Sequence, residues 1–365
     1  MNTPHAFIAA RAAPPRPRGV WHKCREHLWP DVPTGLASAL LACLLISLAV
    51  PLVDWAFLRA VWQPQVQDCR AEQAGACWGV VAEKFRFILL GRFPQDESWR
   101  ALSATGLLLG LVALSALRAL WKAWLPLLWV AVLAVFALLM GGGIAGLSAV
   151  STDRWGGLPL TLLLSTVSIV LAFPLAVLVA LGRCSELPAL RSVCTVYVEL
   201  VRGVPLVSVL FMASFLFPLF MPQGLSIDVL VRVLAGITLF AAAYMAEVVR
   251  AGLQSVPKGQ TEAAATLGLN YWQTQTQVVL PQALTIVLPG LVNNVIGIFK
   301  DTSLVTIVSL YELTGSLSLA LNSDADWRPF KLEAYVFIAL IYFVFCFALS
   351  RYSLHVERQR LQSQR

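Results

Sequence analysis

Oppositely charged residues stand three positions apart at the ends of two apolar runs: Glu199 with Arg202, and Glu247 with Arg250. Residues with this spacing lie on one face of a helix. An ionisable group in apolar surroundings is costly, so it is expected to be paired or to serve a function. For Glu199 and Arg202 the sequence leaves two possibilities, an intrahelical ion pair or a role in gating or substrate passage. For Glu247 and Arg250 it favours a structural ion pair.

A second polar group occurs further along the chain. Asn293 and Asn294 lie in the middle of an apolar run, and Lys300, Asp301 and Thr302 stand at its end. Buried amides need hydrogen-bond partners, so the two asparagines are expected either to bridge helices or to line a polar path. Charges of both signs at positions 300 and 301 would suit a zwitterionic solute, or they satisfy each other as a pair.

Catalytic, nucleotide-binding and metal-binding motifs are absent from the sequence. There is no G-x-x-x-x-G-K-[ST] loop, and the nearest string, GIFKDTS at 297–303, lacks the glycine spacing. There is no H-E-x-x-H, and no basic cluster with interleaved aromatic residues that would indicate a nucleic-acid partner. We therefore expect no catalytic residue, no metal site and no cofactor bound by this chain. All four histidines lie in predicted tails: His5, His22, His27 and His355.

The elements that position these residues are predicted to be membrane helices. The chain is 58% hydrophobic and 13% charged, whereas an ordinary soluble domain is about a quarter charged. Its apolar runs are continuous rather than alternating, which indicates helices rather than barrel strands. The sequence predicts an all-α, polytopic helical bundle in the lipid bilayer. Its eight candidate spans lie at about 36–55, 101–117, 123–150, 157–181, 204–221, 229–249, 281–299 and 334–350.

The distribution of Lys and Arg predicts the orientation of these spans. Both tails are rich in arginine and are expected in the cytoplasm, which an even number of spans permits. Residues 56–100 are expected outside, where acidic residues offset the arginines. Cys69 and Cys77 lie in this loop as CRAEQAGAC. A disulfide is permitted on that side of the membrane, and both a bond and two free thiols remain open.

A polar stretch interrupts the apolar pattern between the sixth and seventh spans. It predicts a short helix that has Ser255 as its N-cap and Gly268 in the left-handed position at its end. Asn270 and Gln273 have the spacing of a capping box for a second short helix, and a membrane helix is expected to begin at Pro281. The residues alone leave open whether the stretch docks a partner or lies on the membrane surface as a solvated loop.

The same stretch resembles the EAA loop of bacterial ABC-importer permeases. The matching residues have that family's spacing, with Val in place of the usual Ile: Glu262, Ala263, Ala264, Gly268, Val278, Leu280 and Pro281. Three further segments, at 157–176, 198–211 and 300–313, resemble polar amino-acid permeases. The extra N-terminal spans and the loop with two cysteines are similar to the larger permease of general L-amino-acid or Glu/Gln/Asp/Asn importers.

The resemblance implies a domain organisation. It comprises a basic cytoplasmic tail at 1–34, a three-helix extension with a periplasmic loop at 35–150, and a five-helix type I permease core at 151–351. The core would contain a coupling loop at 251–281, and a second cytoplasmic tail would occupy 352–365.

The resemblance also implies a function, as the permease subunit of an ATP-driven amino-acid importer in the bacterial inner membrane. Its partners would be an ABC ATPase dimer that binds ATP and Mg, a second, related permease and a periplasmic amino-acid-binding protein. The alternative is a secondary, ion-coupled transporter, which would show duplicated spans with matching broken helices; the sequence contains no such repeat. The implied ATPase-coupling residues are Glu262, Ala263, Ala264, Leu267 and Gly268.

Overall fold

The computed structural model describes residues 26, 28–117, 120–144, 146–222, 224 and 226–363. Most of the predicted basic tail, together with His5, His22 and His27, lies outside the described residues. Contacts divide the described chain into two compact units, one ending at Cys77 and the other beginning at Trp78.

The described chain is built of helices. In chain order they are α1 (Val32–Val53), α2 (Val66–Cys69), α3 (Gly79–Leu90), α4 (Ser98–Ser115), α5 (Leu125–Gly141), α6 (Gly157–Arg183), α7 (Pro188–Gly203), α8 (Leu206–Phe211), α9 (Val229–Ser255), α10 (Lys258–Thr266), α11 (Tyr271–Gln273), α12 (Leu280–Asp301), α13 (Leu313–Asn322) and α14 (Lys331–Ser363).

Six helical stretches of the described chain have the length and composition of membrane spans, and a bent pair of helices adds a seventh. α5 is apolar but shorter, with 17 residues. With α5 counted, each of the eight predicted spans has a helical counterpart, which confirms the predicted all-α membrane bundle. The six long stretches are Val32–Leu58, Ser98–Ser115, Gly157–Arg183, Val229–Ser255, Tyr271–Val308 and Arg328–Gln359.

The third predicted span, 123–150, is too long, because its helix ends at Gly141. Gly142, Gly143 and Gly146 follow with φ of 66°, 78° and 77°, in the left-handed region where glycine is favoured. A Cβ on Gly142 would lie 1.9 Å from the carbonyl oxygen of Ser148. Glycine is therefore required where the chain folds back, and the apolar pattern alone did not indicate that turn.

A fully buried arginine, Arg100 of α4, fastens this turn to the helices around it. Its Nε donates a hydrogen bond of 2.7 Å to the Leu139 carbonyl oxygen, and its Nη1 donates one of 3.1 Å to the Ser148 carbonyl oxygen. The same Nη1 forms an ion pair with Glu97. These bonds pair the buried charge and join α4, α5 and the loop after α5, while Nη2 has no hydrogen-bond partner among the described residues.

The fifth predicted span, 204–221, is one arm of a bent pair. α7 and the stretch Leu206–Phe220 meet at 104°. Pro205, which has no backbone N–H to donate, lies between them in an extended conformation. The second arm begins as α8 and continues as a π-helical turn, Met212–Leu216, and a 3₁₀ turn, Phe217–Phe220.

The predicted outer loop, 56–100, contains helical structure of its own. In the first unit, Cys69 and Cys77 form a disulfide bond, and the Val61 N–H donates a hydrogen bond of 2.8 Å to the Ala76 carbonyl oxygen. In the second unit, α3 begins at Gly79 and ends at Leu90.

The centre of the second unit is the pair α6 and α9, which pack along each other, and α12 packs on α9. Small residues that are fully buried follow both helices of the central pair, and such residues let helix backbones approach closely. They include Ala172, Ala176 and Ala180 on α6, and Ala241, Ala242, Ala243 and Ala246 on α9. This pairing places the C-terminal end of α6 beside the end of α9, where the segment with the EAA pattern begins.

Candidate functional site

The segment with the EAA pattern is a short helix held between two turns. Pro257 has an extended conformation between α9 and α10, with φ −58° and ψ 137°. Gly268 follows α10 with φ 74°, so the predicted left-handed position is confirmed. Asn270 caps α11, its side chain accepting from the Gln273 N–H at 2.9 Å while the Gln273 side chain accepts from the Asn270 N–H at 3.0 Å. The predicted capping box is also confirmed.

Two other expectations for this segment are wrong. Ser255 is not the N-cap of α10, because it ends α9 and its hydroxyl donates to the Gly252 carbonyl oxygen at 2.7 Å. The membrane helix does not begin at Pro281, because α11 continues through a π-helical turn, Thr274–Val279, into α12. A local π adjustment of this kind lets a helix pass a proline that has no N–H to donate.

α10 packs against the π-helical turn through one side and leaves the rest of its surface exposed. Of the implied coupling residues, Ala264 is buried, whereas Glu262, Ala263 and Gly268 are exposed. Leu267 is 79% exposed. α10 therefore presents a carboxylate, small residues and an apolar side chain on its free surface.

A groove of about 810 Å³ lies beside α10. It is bounded by the turn between α6 and α7, the end of α9, and the start of the helix that contains α11. Partial burial raises the pKa of the Cys184 thiol above its usual value, so the thiol stays protonated at neutral pH. Polar residues on the groove wall are Cys184, Ser185, Glu186, Gln254, Lys258, Thr261, Tyr271 and Gln275.

Above the groove, Glu247 of α9 is the centre of an ion-pair cluster. Arg183 Nη1 lies 2.5 Å from Glu247 Oε2, and Arg250 Nη2 lies 2.5 Å from Glu247 Oε1. Arg202 Nη1 lies 3.9 Å from Glu247 Oε2. The predicted pair of Glu247 with Arg250 is thus confirmed, and the carboxylate also joins α6, α7 and α9 where they converge.

The intrahelical pair of Glu199 with Arg202 does not form. Glu199 Oε1 accepts from Arg183 Nη2 at 3.0 Å, while Arg202 turns to Glu247. Arg183, at the end of α6, reaches both carboxylates with its two terminal nitrogens, which the bidentate shape of a guanidinium permits. Both candidate residues therefore belong to contacts between helices, which spacing along one helix could not indicate.

The candidates on α12 lie apart from this cluster. The Asn294 amide donates to the Gly290 carbonyl oxygen of its own helix at 3.0 Å, and it forms no hydrogen bond to another helix within the part of the chain that the structure describes. Asn293 and Lys300 are exposed and lie two turns apart on one face. Lys300 and Asp301 form no ion pair in the described chain, and Thr302 is buried with its hydroxyl donating to the Phe299 carbonyl oxygen at 2.7 Å.

Glu312 is a buried carboxylate that was not among the predicted site residues. It caps α13 by accepting from the Thr314 and Gly315 N–H groups at 2.8 Å and 3.0 Å. It also accepts from the Tyr342 hydroxyl at 2.7 Å and the Thr161 hydroxyl at 3.3 Å. Burial raises the pKa of Glu312, and these donors oppose the rise. A lone glutamate between two apolar stretches is the sequence signal that could have identified it.

Comparisons with known proteins agree with this architecture. Residues 172–361 match the family described as "Binding-protein-dependent transport system inner membrane component". The chain is 45% identical to the inner membrane amino-acid ABC transporter permease protein YhdY of Escherichia coli (strain K12), over 95% of this chain and 96% of that protein. It is 36% identical to the glutamate/glutamine/aspartate/asparagine transport system permease protein BztC of Rhodobacter capsulatus, over 97% and 96%.

Among solved structures, the chain is similar to a chain in the crystal structure of an amino acid ABC transporter with histidines. The TM-score is 0.47 and the identity is 28%, over 55% of this chain and 90% of that chain. From the family match and from relatives that align over nearly their whole length, the chain belongs to the family of binding-protein-dependent transport system inner membrane components.

Proposed function

We propose that this chain is the permease subunit of an ATP-driven amino-acid importer and that α10 transmits the motion of a separate ATPase to it. The observation that carries the proposal is that α10 is attached directly to a membrane helix at each of its ends. One end joins α9 through Pro257, and the other joins the helix of α12 through Gly268, while Glu262 and Leu267 remain exposed. A partner that moves α10 therefore moves two membrane helices.

The proposed partners follow from the family and from what the sequence lacks. Because the chain has no phosphate-binding loop, ATP and Mg are assigned to a partner ABC ATPase dimer. A periplasmic amino-acid-binding protein would deliver the solute, and a second, related permease would complete the path. An amino acid as solute is supported by the two full-length relatives, both described as permeases of amino-acid transport. Both termini are proposed to be cytoplasmic.

The solute path is proposed to use the exposed face of α12. Asn293 and Lys300 offer an amide and a cation on that face, and Asp301 follows at its end, while Thr302 is buried beneath it. A cation and a carboxylate that are not paired with each other remain available to a solute that carries both charges. Glu199 and Arg202 would lie at the opposite end of the path, where their contacts hold α6, α7 and α9 together.

The domain organisation implied by the resemblance is also part of the proposal. The segment 151–351 would form the path and the coupling loop, and this assignment is supported by the family match over residues 172–361. The extension at 35–150 would favour a second permease that is not identical to this chain.

Charge reversal on α10 tests the proposed docking. The tagged full-length chain is expressed with its partner subunits, and co-purified ATPase and ATP-dependent uptake of labelled amino acids are measured. Glu262→Lys is expected to lower both the amount of co-purified ATPase and the uptake at least tenfold. The variant places a cation where the carboxylate would face a cation of the ATPase, and the two like charges repel. Glu72→Lys, at another exposed glutamate, is the matched control and should change neither. Full association and uptake with Glu262→Lys would reject the docking role, and uptake without ATP would support an ion-coupled transporter instead.

A further inference from the structure

An apolar groove of about 420 Å³ lies between the second arm of the bent pair and α9. Its volume is within the range of about 300–1,000 Å³ that ligand pockets have. The arm that forms one wall changes from α8 to a π-helical and then a 3₁₀ turn, and it leaves Met212, Phe217 and Phe220 exposed. The opposite wall is α9, with Val231, Ala235 and Leu239 exposed. The groove is therefore a channel lined by apolar side chains that are exposed at the surface of the protein.

Arg232 is the charged side chain on the wall of this groove. It forms no ion pair in the described chain, although its Nη1 donates to the Ser214 carbonyl oxygen. Its Nε is buried without a hydrogen-bond partner among the described residues, and so is the Ser214 hydroxyl. The nearby carboxylate of Asp228 is occupied by the Thr152 hydroxyl at 2.5 Å and the Leu230 N–H at 2.7 Å. An unpaired guanidinium beside an apolar channel is complementary to an anion.

The position of Arg232 along α9 indicates what kind of anion it meets. Arg232 is the fourth residue of the span that begins at Val229, so it lies near the membrane surface. Leu239 lies seven residues further along, about 10 Å deeper at roughly 1.5 Å per residue. One leaflet of the hydrocarbon core is about 15 Å thick. The groove therefore begins at the level of lipid headgroups and extends through most of one leaflet.

We propose that this groove binds a glycerophospholipid, with the phosphate on the Arg232 guanidinium and one acyl chain along the channel between the second arm and α9. The phosphodiester supplies an anion to the part of the half-buried Arg232 guanidinium that lines the groove, and the acyl chain covers the exposed apolar side chains. Which leaflet supplies the lipid rests on the proposed function: because α10 is assigned to the cytoplasm, the groove opens to the outer leaflet.

Lipid retention by the purified protein tests this proposal. The full-length chain, in complex with its partner subunits, is washed in detergent and incubated with 1-palmitoyl-2-oleoyl phosphatidylglycerol, and bound lipid is counted by native mass spectrometry. Arg232→Gln is expected to weaken retention about tenfold or more, the usual effect of losing a hydrogen bond to a charged group. Arg232→Lys keeps the charge and should restore much of the binding. Ala235→Trp keeps the arginine, fills the channel from an exposed position, and should also lower retention.

Two controls separate this site from general lipid adhesion. Arg328 also donates to a backbone carbonyl, that of Asn322 at 3.2 Å, and lies at the end of another span, so Arg328→Gln should leave retention unchanged. Dioleoylglycerol, which has the acyl chains but no phosphate, should not be retained. Equal lipid retention by wild type, Arg232→Gln and Ala235→Trp would overturn the proposal. It would also be overturned if Ala235→Cys formed a disulfide with a cysteine of the second permease, because that chain would then cover the groove. Neither result depends on ATPase docking, so the two proposals fail separately.

Discussion

At the scale of single residues, Glu247 is expected to contribute most to stability at the place where α6, α7 and α9 converge. Its carboxylate is 26% exposed and meets three arginines, of which Arg183 is 10% exposed. A half-buried carboxylate with several cationic partners is worth more than a surface pair, because removing it leaves charges desolvated and unpaired. The Glu199 carboxylate, which also pairs with Arg183, is 60% exposed and is therefore a natural comparison.

The first prediction compares these two glutamates. Glu247→Gln is expected to lower the free energy of unfolding by about 1–3 kcal/mol, since Arg183 and Arg250 lose their shared anion. Glu199→Gln is expected to cost no more than about 1 kcal/mol, as for an exposed ion pair. Unfolding of the purified chain in detergent, followed by heat or denaturant, gives both values. Equal losses in the two variants would contradict the central position assigned to Glu247.

The second prediction concerns the backbone at Gly268. Its φ is 74°, and no atom lies within 4 Å of a Cβ added there. Any effect of substitution is therefore conformational rather than steric. Gly268→Val should cost about 1–2 kcal/mol locally and reduce amino-acid uptake per ATP hydrolysed, because the turn after α10 relaxes. Gly268→Asn, which tolerates the left-handed conformation, is the matched control. If both variants transport equally well, the turn does not transmit force.

At the scale of elements, the long apolar runs of the sequence correctly predicted the membrane helices. The fourth and sixth spans, predicted at 157–181 and 229–249, correspond to α6 and α9 within a few residues at each end, because continuous apolar runs of this length have one favourable state in a bilayer. The bend at Pro205 could not be read in this way, since hydrophobicity continues through it. The ion-pair cluster was only partly predictable: spacing found Glu247 with Arg250, but Arg183 comes from another helix.

The third prediction tests how α13 is fixed to the core. Tyr342 of α14 donates its hydroxyl to the buried Glu312 carboxyl group, and leaving a buried acceptor unsatisfied costs about 1–3 kcal/mol. Tyr342→Phe should lower the free energy of unfolding by about 1–2 kcal/mol and expose the segment 309–322 to protease. The Tyr335 hydroxyl, which lies 3.2 Å from the Ser318 hydroxyl at an exposed site, is the control. Tyr335→Phe should change stability by less than about 0.5 kcal/mol, and equal behaviour of the two would mean that Glu312 does not need the tyrosine.

At the scale of the whole molecule, cationic residues stand at both ends of the bundle, and carboxylates accompany them at each end. The end with α10 contains five cationic residues beside the spans: Arg183, Arg191, Arg202, Arg250 and Lys258. The carboxylates of Glu199 and Glu247 lie at the same end and pair with three of them. At the other end the cations are balanced by carboxylates: Arg92 Nη2 lies 3.7 Å from Asp153 Oδ2, and Lys84 Nζ lies 2.7 Å from Asp324 Oδ2. The hydrogen bond from Lys84 lowers the pKa of Asp324, which keeps this carboxylate ionised. The excess of Lys and Arg that marks a cytoplasmic side is found in the two arginine-rich tails, and with an even number of spans it supports the proposal that α10 lies in the cytoplasm.

The fourth prediction tests that orientation, on which the coupling role of α10 depends. Ala263 and Ser151 are exposed positions at opposite ends of the bundle, and each is replaced by cysteine in a separate variant. In both variants every native cysteine except Cys69 and Cys77 is changed to alanine. Those two are bonded to each other and do not react with a maleimide. In intact cells with a permeable outer membrane, an impermeant maleimide should label Ser151→Cys at once and Ala263→Cys only after the inner membrane is opened. The reverse pattern would place α10 outside, where no ATPase could reach it, and would remove the physical basis for coupling.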